Sequence, residues 1–486
     1  MQKLFEELGV LYKKQFGTDP GSIEKLPQSG GDRSYYRITG TTPCIATWSQ
    51  NIQETATFLA FTKHFKATGC PVPEVYIVND DATLYLQEDL GSQSLLDVLE
   101  KEGHTETVFE LYRRSLKELA HLQIQGHHQL DYEWCLTSKE FGKQAITADL
   151  LYFKYYFLDT LKIPYDKEQL IDDFEALSTY LTHVDHKYFM FRDFQSRNIM
   201  VNGGNVYFID YQGGMRGALQ YDAASLLWQA KAELPEQWKD ELLSYYISCV
   251  ETELGLQVDR NRFVGQYNGY VLIRLLQVLG AYGFRGLFER KAHFLVSIPL
   301  ALRNLKSFLT HKQVGIVLPE LERLLSMVVS DEVIQRFEPV RATEKTPLLV
   351  SIASFSYKIN GIPPDDSGNG GGFVFDCRSL HNPGRYEPYK TMTGRDKEVR
   401  DFLEQQSQMP LFLNSVFNLV DIAVEDYIKR GFENLQISFG CTGGQHRSVY
   451  AADALARHLR NKFGVKIELS HKVQDAKNWI NAPVNH

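Results

Sequence analysis

Cysteine is scarce in this chain. Six cysteines in 486 residues, at positions 44, 70, 135, 249, 377 and 441, form no C-x-x-C pair and no zinc spacing. Neither a disulfide framework nor a structural zinc is expected, and a reduced compartment fits best. A long apolar run is also missing. Val271–Phe284 is interrupted by Arg274, so no bilayer span is expected. The first 17 residues lack the apolar centre of a signal peptide and set Glu6, Glu7, Lys13 and Lys14 among apolar residues at helical spacing. These absences point to a soluble, cytoplasmic protein without a membrane partner. No G-x4-G-K-[ST] phosphate loop occurs anywhere. No field of one sign dominates either, since the net charge of -8 gives no global attraction for nucleic acid. The acidic excess lies in residues 1–345, with 36 Lys+Arg against 45 Asp+Glu. From Thr346 onward the counts are 16 and 15, which leaves scattered cations as a weak hint of anionic partners.

What is present suffices for two cores. The chain is 43% hydrophobic and 23% charged, ordinary for globular protein. Short β signals at Tyr35–Ile38, Cys44–Trp48, Val75–Val78 and Thr83–Gln87 surround a helical stretch, Glu54–Thr68. Helical patterns dominate from Leu95 to about Val329, broken by two short strands, Ile199–Val201 and Val206–Ile209, around a turn. A polar stretch, Asp331–Lys345, reads as a linker, and a Gly-rich loop, Asp365–Gly372, follows further on. Beyond Leu348 strands alternate with helices. The expected architecture is an α+β, protein-kinase-like bilobal domain over 1–335, a linker over 336–347, and a separate α/β domain over 348–486.

The strongest chemical signal is FRDFQSRNIM, residues 191–200, followed by YFIDYQ, residues 207–212. Phosphoryl transfer needs a carboxylate beside the attacking hydroxyl and oxygen ligands for Mg²⁺, in fixed geometry. Asp193 and Asn198 stand as Asp-x4-Asn, and a hairpin returns the chain to Asp210. Asp193 is thus the candidate base, with Asn198 and Asp210 the candidate ligands of Mg²⁺. Taken singly, each residue reads as a turn cap; the three together between strand signals favour the catalytic reading. Upstream, Ser29, Gly30, Gly31, Asp32, Arg33 and Ser34 precede a strand and could lay backbone amides over ATP phosphates. Gln87–Leu90, with Glu88, is the candidate adenine hinge. The strand Cys44–Trp48 carries no lysine to clamp the phosphates, so Arg33 or another cation must substitute, or activity is lost.

In GGDRSYYRI, QEDLG, FRDFQSRNIM and IDYQGGMRGALQYDAASLL, residues 20–330 resemble the aminoglycoside-phosphotransferase-like kinases. Within these the motifs look most like the cell-wall amino-sugar kinases, which phosphorylate N-acetylmuramate and N-acetylglucosamine at the anomeric carbon. The resemblance implies ATP and Mg²⁺ as cofactors, a sugar as acceptor, and a role for Asp222 in steadying the catalytic loop. Asp222 reads equally well as the cap of a helix over Ala223–Ala232. Phe191 stands where many relatives have His.

A second constellation is FGCTGGQHRS, residues 439–448, between a strand and a helix. Amides of Thr442–Gln445 at a helix start, with Arg447, suit a phosphate. Cys441-x5-Arg447 is also the spacing of cysteine-dependent phosphatases, with Asp376 or Asp396 as the acid. In SFSYKINGIP, FVFDCRSLHNP, TGRDKEVRDFL and ISFGCTGGQHRSV, residues 348–472 resemble the C-terminal domain of the RNase adapter RapZ family. That resemblance implies binding of glucosamine-6-phosphate and a small RNA. Its candidate pocket comprises Cys441, Thr442, Gly443, Gly444, His446, Arg447 and Ser448, with Asp376, Arg378 and His381 nearby. Arg378, Lys390, Arg395 and Lys472 are candidate RNA contacts. The combined expectation is an ATP-dependent sugar kinase joined to an amino-sugar-phosphate sensor. Its rivals are a non-catalytic, RNA-binding scaffold and a C-terminal phosphatase.

Overall fold

Two units form around separate cores, Met1–Phe337 and Glu338–His486. The computed structural model describes residues 2–26, 33–185, 187–289 and 292–479.

The first unit begins with the helix Gln2–Phe16 and a five-stranded antiparallel sheet. Its strands are β1 (Ser22–Lys25), β2 (Ser34–Thr39), β3 (Cys44–Trp48), β4 (Val75–Val78) and β5 (Leu84–Glu88), in the order β1-β2-β3-β5-β4. Alternation divides the strands between two environments. Tyr36, Ile38, Cys44, Ala46 and Leu86 pack with Leu8, Leu11 and Tyr12 of the first helix. Tyr35, Thr47 and Tyr85 lie in register with one another on the opposite face. There Tyr85 stacks on Phe58 of the helix Ile52–Ala67, at 5.1 Å between ring centroids. Asn51 caps that helix by accepting the Glu54 N–H.

Below the sheet the chain is mainly helical, with two small antiparallel pairs. Strand β6 (Lys187–Met190) pairs with β9 (Met215–Ala218), and β7 (Ile199–Asn202) with β8 (Asn205–Phe208). Gly203 and Gly204 both hold positive φ, 58° and 75°, as the two-residue turn of a tight hairpin demands. By length and composition Arg260–Phe288 could cross a membrane, although the sequence reading expected no such segment. In the fold, however, this stretch is the central helix of the unit: Tyr267, Val271, Leu275 and Leu279 are buried. The expected helix over Lys139–Leu161 is three pieces, Lys143–Phe153, a π-helical turn Lys154–Leu158, and Asp159–Leu161. The stretch read as the start of a linker forms the helix Asp331–Phe337 and belongs to the first unit.

The second unit is a four-stranded parallel sheet, ordered β11-β12-β10-β13. Its strands are β10 (Leu349–Ser356), β11 (Phe373–Asp376), β12 (Asn434–Cys441) and β13 (Lys466–His471). The central strands β10 and β12 are buried without a break over their last five residues, Ile352–Ser356 and Ile437–Cys441, as a sheet covered on both faces requires. The expected single helix over Asp396–Lys429 is two, Lys397–Gln405 and Met409–Arg430. Pro410 at the second helical position starts the second, where its missing N–H is not needed. Ligands of parallel α/β sheets gather beyond the carboxyl ends of the strands. Here those ends bring Asp376, Cys441 and the loop after Ser356 to one edge.

Candidate functional site

In the first unit the loop after β6 is fixed from below by rings. Phe191 and Phe194 are fully buried, with centroids 5.2 Å apart, and Phe194 meets Phe208 at 4.9 Å. A histidine at 191 would have to bury a polar ring among these side chains, which accounts for the phenylalanine. From above, Asp222 accepts the N–H of Phe191 at 2.7 Å and of Arg192 at 3.0 Å. The helix carrying it starts at Gln220, so Asp222 is not its cap, contrary to one sequence reading. Arg192 holds a positive φ of 78°, which turns the chain so that Asp193 follows on the open side.

Asp193 is about one-third exposed and meets three donors. Gln195 Nε2 lies 2.5 Å and Arg274 Nη2 3.2 Å from its Oδ1, with Arg197 Nη2 3.5 Å from Oδ2. Burial by itself would raise the carboxyl, but Arg274, then Arg197 and Gln195, hold it below the usual range. Asn198 donates from Nδ2 to the Asp193 carbonyl at 2.9 Å, which leaves its Oδ1 to point elsewhere. Ile209 N–H bonds the Asn198 carbonyl at 3.1 Å and sets Asp210 beside it. The sequence-predicted base and both predicted ligands therefore share one hairpin. Asp210 has a φ of 71°, and its Oδ1 accepts from Arg33 at 2.6 Å and Gln212 at 2.8 Å.

Arg33 also lies 3.4 Å from Glu54. Ser34 opens β2, whereas Ser29, Gly30, Gly31 and Asp32 lie outside the described residues. Glu88 ends β5 and is tied to Glu74, its N–H donating to the Glu74 carbonyl at 2.8 Å and its Oε2 accepting the Glu74 N–H at 3.1 Å. Arg37, not among the candidate residues read from the sequence, holds the segment after β5. It binds Asp89 through two hydrogen bonds, at 2.7 and 3.0 Å, and the Gly91 carbonyl at 2.9 Å. The signal was its two-residue offset from Tyr35 on one face of β2.

An amide oxygen and one carboxylate suit Mg²⁺, which takes few protein ligands and completes its shell with phosphate and water. Asn198 Oδ1 and Asp210 fit that pattern. Among the described residues no group of three or more His, Cys, Asp or Glu converges as a self-sufficient metal site.

In the second unit a cavity of about 750 Å³ opens where the strand ends meet. Its wall includes Arg378, His381, Thr442 and Arg447 of the predicted residues, with Asn382, Arg385 and Gln406 besides. Arg447 is 3% exposed. It donates to the carbonyls of Arg378 and Leu380, at 2.9 and 2.8 Å, and its Nε has no partner among the described residues. Asp376 pairs with the wall residue Arg378 at 2.7 Å without lining the cavity itself. His446 donates from Nε2–H to the Tyr389 carbonyl at 2.8 Å. Burial lowers its pKa. Gly443, Gly444, Ser448 and Cys441 form the turn beneath the wall rather than the wall itself. The Cys441 Sγ accepts the Gly444 N–H at 3.2 Å and lies 3.1 Å from Ser448 Oγ. A thiol 3% exposed and absent from the wall is placed to hold the turn, not to attack a ligand. Of the predicted RNA contacts, Arg378, Lys390 and Arg395 are paired with Asp376, Glu387 and Asp453, and Lys472 is exposed.

Residues 23–256 match the phosphotransferase enzyme family, and residues 348–475 match the RapZ C-terminal domain. Among curated proteins, a nucleotide-binding protein of Solibacter usitatus is 37% identical over 129 residues, covering 26% of this chain and 38% of the relative. One from Endomicrobium trichonymphae is 36% identical over 153 residues, covering 32% and 48%. A third, from Fusobacterium nucleatum, is 30% identical over 213 residues, covering 42% and 69%. The chain thus spans less than half the length of the first two relatives. Among solved structures, a choline/ethanolamine kinase family protein from Mesorhizobium loti aligns with a TM-score of 0.45 and 13% identity, over 68% of this chain and 98% of its own. The choline kinase LicA from Streptococcus pneumoniae aligns with a TM-score of 0.40 and 13% identity, over 64% and 99%. The chain thus carries a domain of the phosphotransferase enzyme family at residues 23–256 and a RapZ C-terminal domain at residues 348–475.

Proposed function

We propose that the first unit is an ATP-dependent kinase of an amino sugar and that the second binds a hexosamine phosphate. The observation carrying the first part is the hairpin that joins Asp193, Asn198 and Asp210, with Asp222 holding the loop from behind. Asp193, kept ionised by Arg274 and Arg197, takes the proton from the acceptor hydroxyl as it attacks phosphorus. Arg274 and Gln195 fix the carboxylate so that one oxygen remains turned to the acceptor. A divalent cation held by Asn198 and Asp210 would supply neutralising charge for the transferred phosphoryl group. Arg37 stiffens the hinge against which the nucleotide base would lie.

An amino sugar as acceptor rests on the motif resemblance of the first unit to amino-sugar kinases and of the second to a hexosamine-phosphate binder. The polar cavity with buried Arg447 supports an anionic ligand in the second unit. RNA binding has less support there, because three of its four candidate cations are already paired. The test is phosphate transfer from ATP with Mg²⁺ to a panel of sugars that includes N-acetylmuramate and N-acetylglucosamine. Transfer to an amino sugar by the wild type, and its loss in Asp193→Asn, is the expected result. Absence of transfer to every sugar, or an undiminished Asp193→Asn variant, overturns the kinase reading.

A further inference from the structure

We infer that Arg33 is the cation that holds the phosphate chain of the nucleotide, with Glu54 as its positioning residue. This rests on the reading of the first unit as an ATP-dependent kinase. In protein kinases a lysine on the third strand of the sheet does this work, paired with a glutamate on the following helix. Here β3 has no lysine. Its residue in register with both Tyr35 and Tyr85 is Thr47, and Thr47 Oγ1 is buried with no hydrogen-bond partner among the described residues. A threonine can offer a phosphate one hydroxyl but no charge.

The neighbouring strand supplies the charge. Ser34 pairs with Trp48 in register, so the residue before it comes level with the end of β3. From there the Arg33 guanidinium reaches Glu54 Oε1 at 3.4 Å, on the helix after β3, and Asp210 Oδ1 at 2.6 Å. Gln212 Nε2 closes the group, 3.2 Å from Glu54 and 2.8 Å from Asp210. A glutamate on the helix after β3 is thus present, while the cation comes from the residue just before β2. Both carboxylates are met by the same nitrogen, Nη2. The side chain is only 16% exposed, so its charge acts through partly desolvated surroundings. A planar guanidinium beside the candidate metal ligand Asp210 suits the oxygens of adjacent phosphates better than a point charge would.

Equilibrium binding to the full chain tests this without turnover. ATP, ADP and adenosine are titrated against wild type, Arg33→Met, Arg33→Lys and Glu54→Gln. Arg33→Met should weaken ATP and ADP by about tenfold to a hundredfold and leave adenosine unchanged. Arg33→Lys should recover part of the loss, and Glu54→Gln should show a smaller loss of the same kind. Equal ATP affinity in Arg33→Met, or an equal loss of adenosine, overturns the inference. If the wild type binds ATP through Arg33 but phosphorylates no sugar, the inference stands and the kinase reading falls. If the wild type binds no adenine nucleotide, both fall.

Discussion

The Asp222 carboxylate accepts the backbone N–H of Phe191 at 2.7 Å, and through that bond a helix far along the chain sets the position of Asp193. Burial pushes its carboxyl up to about 7, against hydrogen bonds from Phe191, Arg192 and Gln123 that favour the ionised form. A folded-state pKa above the ordinary value favours the protonated carboxyl in the folded state. Its contribution to stability is therefore full below about pH 4 and is lost as pH rises through about 7. Asp222→Asn removes the titrating group and turns a donor toward two N–H groups. The variant should lose at least about a hundredfold in phosphate transfer, by displacing Asp193. Its stability should also vary less than that of the wild type between pH 5 and 8. Denaturant titrations at both pH values check this, and parallel pH slopes in the two proteins count against it.

Arg274 gives a second pH prediction, of opposite sign. Burial tends to raise the Asp193 carboxyl, and Arg274 is the largest of the influences that bring it down. With a depressed pKa Asp193 stays ionised into more acidic solution. Arg274→Gln should therefore move the acidic limb of the kcat/KM profile toward higher pH. The rate on the alkaline plateau should fall less than it does in Asp193→Asn. An acidic limb that stays in place assigns Arg274 to the fold of its helix alone.

The hairpin of the candidate site was legible because its logic is local. Asp193, Asn198 and Asp210 lie within eighteen residues of each other, and strand signals with a Gly-Gly turn force the chain back on itself. Asp222 was legible only through family resemblance, since nothing in its neighbourhood shows that it will reach Phe191. Arg274 was read merely as an interruption of an apolar run, and its contact with Asp193 depends on how a helix 81 residues away packs. The cavity of the second unit shows the same limit. Thr442 and Arg447 were found from their turn, but Arg385 and Gln406 come from other loops and reach the wall only through tertiary packing. The Gly-rich turn left a phosphatase rival open through the spacing of Cys441 and Arg447, while the Cys441 sulfur is buried and bonded within the turn. Strands β1, β6 and β9 were missed; β9 contains Gly217, and β6 and β9 pair only with each other, across an intervening hairpin.

Arg385 offers the cleaner test of that cavity. It is exposed on the wall and paired with no carboxylate among the described residues, unlike buried Arg447. Arg385→Ala should weaken glucosamine-6-phosphate by about tenfold, the loss expected for one charged hydrogen bond, and leave the unfolding midpoint unchanged. Calorimetric titration of the full chain reads the affinity. Unaltered affinity places the phosphate elsewhere. Cys441→Ser should bind the same ligand with little change, because a hydroxyl can still accept the Gly444 N–H.

The second unit should also respond to acid through Asp453. Its carboxylate takes two hydrogen bonds from Arg395, at 2.9 and 3.0 Å, and lies 3.4 Å from His471 Nε2. His471 is buried and meets Ser354 Oγ at 2.8 Å through Nδ1. The group thereby joins the helix Arg447–Phe463 to β10 and β13. Burial works to raise the Asp453 carboxyl, but His471 and Arg395 overrule it and bring it down to about 2. A depressed folded-state pKa contributes stability above the ordinary value, near 4, and loses it as pH falls toward 2. At neutral pH this is worth about 2 kcal/mol, because a unit of pKa corresponds to roughly 1.4 kcal/mol. Asp453→Asn should therefore speed amide hydrogen exchange in the segment 466–476 at pH 7. The difference from wild type should narrow as pH is lowered from 5 toward 3. Equal exchange at pH 7 would show that the pair orders the surface without stabilising the sheet.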